Sequence, residues 1–161
     1  AITLDGINRV INYIKRAVAG GGDREARYNM LMAGLEGGMA IYLGLGPIHA
    51  LANTFGNSPL HHGTLVTVST PAVLRFYEGV IDDKLNNIRS AMNLSEGDNL
   101  ADTITDLNRI IGMPSSVREM GYDKDDVDVM TSETFNSHFN AWAPKKPTQE
   151  ECHQLVIDTL G

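Results

Sequence analysis

The sequence predicts an all-α fold, a single multi-helix domain, on three observations. Apolar residues recur at three- and four-residue spacing through most of the chain, the repeat of a helix that buries one face. Strict alternation over the length of a strand is hard to find. Glycines and prolines punctuate the periodic stretches: the Gly20-Gly21-Gly22 run, Pro47, Pro114, Gly121 and the Pro144-Lys145-Lys146-Pro147 turn.

The first helix is expected from about Leu4 to Val18, where Leu4, Ile7, Val10, Ile11, Ile14 and Val18 share one stripe, and it ends in the triple glycine. Asp23 then caps a second helix reaching about Tyr42, with Glu25 in its first turn, where a carboxylate meets the positive end of the helix dipole. That helix holds Ala33, Gly34, Gly37, Gly38 and Ala40. A helical glycine costs about 1 kcal/mol against alanine, so several together predict a close approach by another backbone or a ligand.

A short third helix starts at Pro47, whose missing N–H has no partner to lose at the first helical position, and ends between Asn53 and Gly56. Ser58 and Pro59 punctuate. The fourth runs from about His62 to Phe76, kinked where Pro71 removes a helical hydrogen bond and crowds the turn before it. Shorter amphipathic helices are expected from Asp82 to Met92, Asn99 to Ile111, Ser115 to Met120, Asp125 to Ser137 and Thr148 to Leu160. Ser116 with Glu119 and Thr148 with Glu151 both fit a capping box.

At 161 residues, 42% of them hydrophobic, the chain is long enough to bury about two-thirds of its unfolded surface, so one domain is the default. A net charge of -7 leaves no basic surface for a phosphate backbone and argues against nucleic acid as a partner. Cys152 is the single cysteine, which excludes an internal disulfide and a cysteine-based zinc cage and agrees with a cytoplasmic location. A helical stripe that begins almost at residue 1 reads as a cut end, and no signal peptide is visible. The stretch from Gly37 to Phe55 lacks Asp, Glu, Lys and Arg, yet Pro47, His49 and four glycines interrupt it. It reads as a buried helix pair and not as a membrane span.

Five histidines are candidates for chemistry: His49, His61, His62, His138 and His153. Most histidines in an acidic helical domain are surface or satisfied core residues. Two positions stand out. His49 lies one turn into the third helix on an uncharged stretch, and His62, thirteen residues on, lies at the break into the fourth. Two imidazoles on neighbouring helical segments can meet at one ion, although the intervening turn makes that spacing weakly specific.

The motifs around these histidines resemble a known family. The run Gly44-Leu45-Gly46-Pro47-Ile48-His49-Ala50-Leu51-Ala52-Asn53, followed by Gly56, is similar to the histidine-bearing signature of the iron-containing (group III) alcohol dehydrogenases. Pro59-Leu60-His61-His62-Gly63, continuing to Pro71, resembles that family's Pro-His-Gly motif and the long helix after it. Asp23-Arg24-Glu25-Ala26-Arg27 with Met30 is similar to the helix that precedes them. Ile111-Gly112-Met113-Pro114, Met120-Gly121 and the proline-containing turn before Thr148 follow the family's tail in order and spacing. Each motif is loose alone, and their order along nearly the whole chain makes the assignment.

The resemblance implies a dehydroquinate synthase-like C-terminal helical domain. In the complete enzyme this domain is joined to an N-terminal NAD(P)-binding domain that lies outside these residues. Together they would interconvert a small alcohol and an aldehyde or ketone by hydride transfer, with NAD or NADP and a divalent metal, iron or zinc. The resemblance also leaves a homo-oligomer open. It assigns four metal ligands: an Asp and a His from an earlier helix, then His49 and His62. No Asp-x-x-x-His pair precedes His49 here, so the fragment alone is expected to hold metal weakly and to lack dehydrogenase activity.

Three departures from the family pattern stand out. His61 takes the place of the proline before His-Gly, which leaves a one-residue ambiguity that Gly63 tips toward His62. Asn53 stands where many members carry another histidine; it lines the substrate or cofactor pocket but cannot shuttle a proton at neutral pH. Ala143-Pro144-Lys145 replaces an Asn-Pro-Arg, and no catalytic residue is identified in this fragment.

Other features carry no chemistry. The Gly20-Gly21-Gly22 run follows a helix, whereas a dinucleotide loop follows a strand. Asp123, Asp125, Asp126 and Asp128 lack the glycine and distant Glu of a calcium loop and suit a solvated helix start. Cys152 and His153 point about 100° apart on a helix, and the pair is read as structural and superficial. A reading of another class is a non-catalytic interaction domain with Gly37 to Phe55 as its partner surface. Convergence or divergence of His49 and His62 discriminates the two.

Overall fold

Helices form where an apolar stripe is bounded by a cap. The structure, a computed structural model, describes residues 1–56, 58–123 and 125–161. Among them are eight α-helices and no strand. They are α1 (Ile2–Ala19), α2 (Arg24–Ala40), α3 (Gly46–Phe55), α4 (His62–Tyr77), α5 (Asp82–Ala91), α6 (Leu100–Ile110), α7 (Val127–Asn136) and α8 (Gln149–Leu160). Short 3-10 turns at Ile41–Leu43 and His138–Trp142 complete the set. No single described helix is long and apolar enough to cross a membrane. The chain divides into two compact units, Ala1–Leu43 with Ile81–Leu100, and Gly44–Val80 with Ala101–Gly161.

In the first unit α1 packs along α2 and against α5. Asp23 caps α2 by accepting from the Ala26 N–H at 3.0 Å, and Arg16 closes the triple-glycine turn by pairing with Asp23 and Glu25. The close approach between helices comes at Gly6, where an added Cβ would stand 3.1 Å from Glu36 Oε2. Beside it, Arg9 donates to Asp5, to Glu36 and to Asn29 Oδ1, so the polar groups under the helix pair are largely matched. The expected role of the α2 glycines is corrected here. A Cβ at Gly34, Gly37 or Gly38 would meet nothing within 4 Å, because Ala33 and Glu36, not the glycines, face α1. On the open side Tyr28, Leu31, Leu35 and Met39, spaced three and four apart, stay between 54% and 73% exposed. This stripe is the helical spacing of an apolar face, left uncovered.

The core of the second unit is formed by Leu51 and Phe55 of α3, Leu65 and Val73 of α4, and Cys152 and Val156 of α8, all buried. Phe55 meets Tyr122 edge-on, centroids 5.3 Å apart, an arrangement that adds about 0.5–1.5 kcal/mol beyond the buried area. Cys152 corrects the superficial reading: it is fully buried, and burial pushes its thiol up to about 11. Its neighbour His153 is half-buried and bonded to Thr131 Oγ1 at 3.3 Å.

Helix α4 continues through Pro71. The proline cannot donate to the Thr67 carbonyl one turn back, and Asn108 of α6 supplies the missing donor from Nδ2 at 3.3 Å. The capping box at Thr148 and Glu151 forms in full. The helix expected from Ser115 to Met120 does not form, and that segment is a run of turns. Its N–H groups are recruited elsewhere: Val117 donates to the Thr159 carbonyl and Arg118 to the Leu160 carbonyl, satisfying the last turn of α8. The aspartates from 125 to 128 sit at the start of α7, where Asp126 is the N-cap and Asp125 pairs with Arg118.

Candidate metal centre

The site is built on the facing starts of α3 and α4. Gly44 and Gly46 both take positive φ, +101° and +64°, which turns the chain sharply into α3 with Pro47 in its first turn. His49 follows one turn later, half-buried. His62 is the first residue of α4. Its neighbour His61 is the N-cap, its Nδ1 accepting from the Thr64 N–H at 3.3 Å. Gly63 admits that folded-back ring, since a Cβ there would lie 3.1 Å from His61 Cε1. The two adjacent histidines therefore divide their work: one caps the helix, the other faces His49.

The rings of His49 and His62 have centroids 5.3 Å apart, tilted by 46°. An ion about 2.1 Å from one nitrogen of each ring, with the two bonds at a tetrahedral angle, sets the centroids about 5 Å apart, so the pair suits a shared ion. The pKa of His49 is lowered below its ordinary 6.5, first by burial and then by the charge of His62. Both causes favour the neutral imidazole, the form that binds metal. Among the described residues no group of three His, Cys, Asp or Glu side chains assembles here or elsewhere. The two imidazoles fit an ion as part of a ligand set, and further donors have to come from outside the described residues.

Asn53 lies one turn beyond His49 on α3 and is exposed. The next residue, Thr54, is buried and shares a 2.9 Å hydrogen bond with Thr134 of α7. The site also has a wall that the sequence reading missed. Phe139, in the turn His138–Trp142, lies with its ring centroid 5.8 Å from that of His49, and His138 stacks on Phe139 at 4.1 Å. Asn140 ties the turn down, donating to the Thr134 carbonyl at 2.8 Å. Gly44 makes room for it: a Cβ there would stand 2.4 Å from Trp142 Cβ. The signal was a concentration of rings, His138, Phe139 and Trp142, in a chain that is only 6% aromatic. Lys145, in the place of the family arginine, is occupied by Glu151 and by the face of Phe76, 4.5 Å away.

The family model for the C-terminal part of the Fe-containing alcohol dehydrogenases matches residues 1–160. The chain belongs to the iron-containing alcohol dehydrogenase family. It is 35% identical to a 4-hydroxybutyrate dehydrogenase of Cupriavidus necator over 99% of this chain and 44% of that protein. It is 26% identical to the lactaldehyde reductase of Escherichia coli K12, over 96% of this chain and 43% of that one. A crystal structure of a 1,3-propanediol oxidoreductase superposes with a TM-score of 0.89 at 26% identity, covering 98% of this chain and 44% of the other. The expected all-α C-terminal fold of the family is thus what the chain adopts. The chain spans less than half the length of these relatives, and it corresponds to their C-terminal part.

Proposed function

We propose that this chain is the metal-holding helical part of an NAD(P)-linked alcohol dehydrogenase in which His49 and His62 bind a divalent ion. The observation that carries the proposal is the 5.3 Å meeting of their rings on the starts of two successive helices. Iron follows from the family's description, and the imidazole donors suit zinc as well. When bound, the ion supplies Lewis-acid polarisation of the alcohol or carbonyl oxygen while the nicotinamide exchanges the hydride.

The residues of this chain bind, orient and exclude water. Phe139 covers one side of His49, which limits the ring's freedom and keeps it desolvated. Asn53 presents an amide that can hydrogen-bond a substrate or cofactor group without carrying a proton. The likeness to a 4-hydroxybutyrate dehydrogenase supports a short hydroxy acid and its semialdehyde as the substrate pair.

Metal analysis of the complete protein tests the reading. One ion per chain is expected in the parent protein, with at least a tenfold loss of affinity in His49→Ala and again in His62→Ala, since each removes a direct ligand. Retention of the ion by a variant lacking both imidazoles overturns it.

A further inference from the structure

We propose that His138 binds the carboxylate of a short hydroxy-acid substrate whose hydroxyl end lies at the His49–His62 pair, an inference that rests on the dehydrogenase reading above. Four of the five histidines have a task in the structure. His49 and His62 face each other, His61 caps α4, and His153 bonds Thr131. His138 is exposed, and among the described residues neither of its ring nitrogens is engaged in a hydrogen bond. It stands beside the site because its ring stacks on Phe139, which in turn lies against His49.

The separation of the two rings has an upper limit. Steps of 4.1 Å and 5.8 Å place the His138 ring no more than about 10 Å from that of His49. A four-carbon hydroxy acid reaches about 6 Å from its hydroxyl oxygen to its carboxylate oxygens, given ordinary bond lengths. An imidazole N–H donates over about 2.9 Å, so such an acid reaches both rings along a path that bends around Phe139, not one that runs straight between the centroids. A simple alcohol of the same length has nothing to offer His138.

The donor is also held in place, which is what a specificity contact needs. Asn140, almost fully buried, anchors the turn to the end of α7 through the Thr134 and Phe135 carbonyls. Thr134 is fixed to α3 by its bond to Thr54, and Trp142 sits against Gly44. Lys145, the nearby alternative cation in sequence, is held by Glu151.

The test uses the complete protein with its metal and nicotinamide, comparing 4-hydroxybutyrate with butan-1-ol by kcat/KM and measuring butyrate binding by calorimetry. In His138→Ala the loss for the hydroxy acid should exceed the loss for butan-1-ol by roughly ten- to a hundredfold, the worth of a hydrogen bond to a charged group. Butyrate should weaken by a similar factor, and His138→Gln, which keeps an N–H donor, should recover most of both. Equal losses on the two alcohols, or unaltered butyrate affinity, overturn the assignment. If the parent protein turns over no alcohol at all, the dehydrogenase reading fails, and the butyrate calorimetry still decides the role of His138.

Discussion

Gly44 and Gly46 flank one residue, share a backbone requirement and differ in one contact, so alanine at each position measures what that contact is worth. At Gly46, φ is +64° and an added Cβ meets nothing within 4 Å. The cost of Gly46→Ala is therefore backbone strain of about 1–2 kcal/mol, partly offset by the reduced freedom of the unfolded chain. At Gly44, φ is +101° and the Cβ would stand 2.4 Å from Trp142 Cβ and 2.9 Å from Cγ. Ordinary carbon contact begins near 3.5 Å, so the turn has to retreat by roughly 1 Å, at an overpacking cost of about 1–3 kcal/mol on top of the strain. Gly44→Ala should thus destabilise by about 3 kcal/mol, at least 1 more than Gly46→Ala, in urea titrations followed by far-UV circular dichroism. Because Phe139 rides on the same turn, the imidazole of His49 should also lose its ring-current shift in Gly44→Ala and keep it in Gly46→Ala. Equal costs at the two positions, or a destabilised Gly44→Ala with an unmoved His49 signal, would refute the coupling of this turn to the site.

Two further expectations concern α4 and His49. Asn108→Ala should cost about 1–3 kcal/mol, because it strands the Thr67 carbonyl that Pro71 cannot serve; in a Pro71→Ala background, where residue 71 regains its N–H, the cost should fall to about 1 kcal/mol or less, and an undiminished cost in that double-mutant cycle contradicts the account. The pKa of His49 is depressed in the folded chain, so as pH falls below 6.5 the unfolded chain takes up the proton first. Stability of the metal-free chain should therefore fall from pH 6.5 down through the folded pKa and level off below it, whereas above pH 6.5 this group contributes no slope. His49→Gln should flatten that part of the profile in urea midpoints taken between pH 7.5 and 5, and a parent profile no steeper than the variant's would count against burial of the ring.

What was legible in the sequence was local. The stripe of α1, the Asp23 and Thr148 caps and Pro47 at the start of α3 each depend on residues within one or two turns, and each appears where expected. The segment from Ser115 to Met120 has an equally good local signal, and half of it operates: the Glu119 N–H bonds to Ser116 Oγ. In place of the helix, the Val117 and Arg118 N–H groups donate to carbonyls at the end of α8, some forty residues on, a partner that no local pattern announces. The glycines of α2 misled for a related reason: composition reports that a backbone can be approached, not which face a neighbour takes. Cys152 beside His153 shows the same limit, since adjacent positions on one helix met quite different surroundings.

The candidate site divides along the same line, and the division has a mechanical meaning. His49 and His62 were readable as a pair from the motifs around them, which follow one another on two successive helices. Nothing local marks Phe139, which arrives ninety residues after His49 and is placed by Asn140, Thr134 and Thr54, a chain of buried hydrogen bonds between elements. The two imidazoles accordingly have different supports. The ring of His49 is half-buried and walled, so desolvation keeps it neutral and its orientation is set by packing. His62 is exposed at the first residue of its helix, and its backbone is set by the cap that His61 provides. A ligand fixed by packing resists displacement but adapts poorly, whereas one fixed only through its backbone can turn its ring to complete whatever coordination the remaining donors impose. In the proposed centre, His49 would set where the ion sits and His62 would adjust to it.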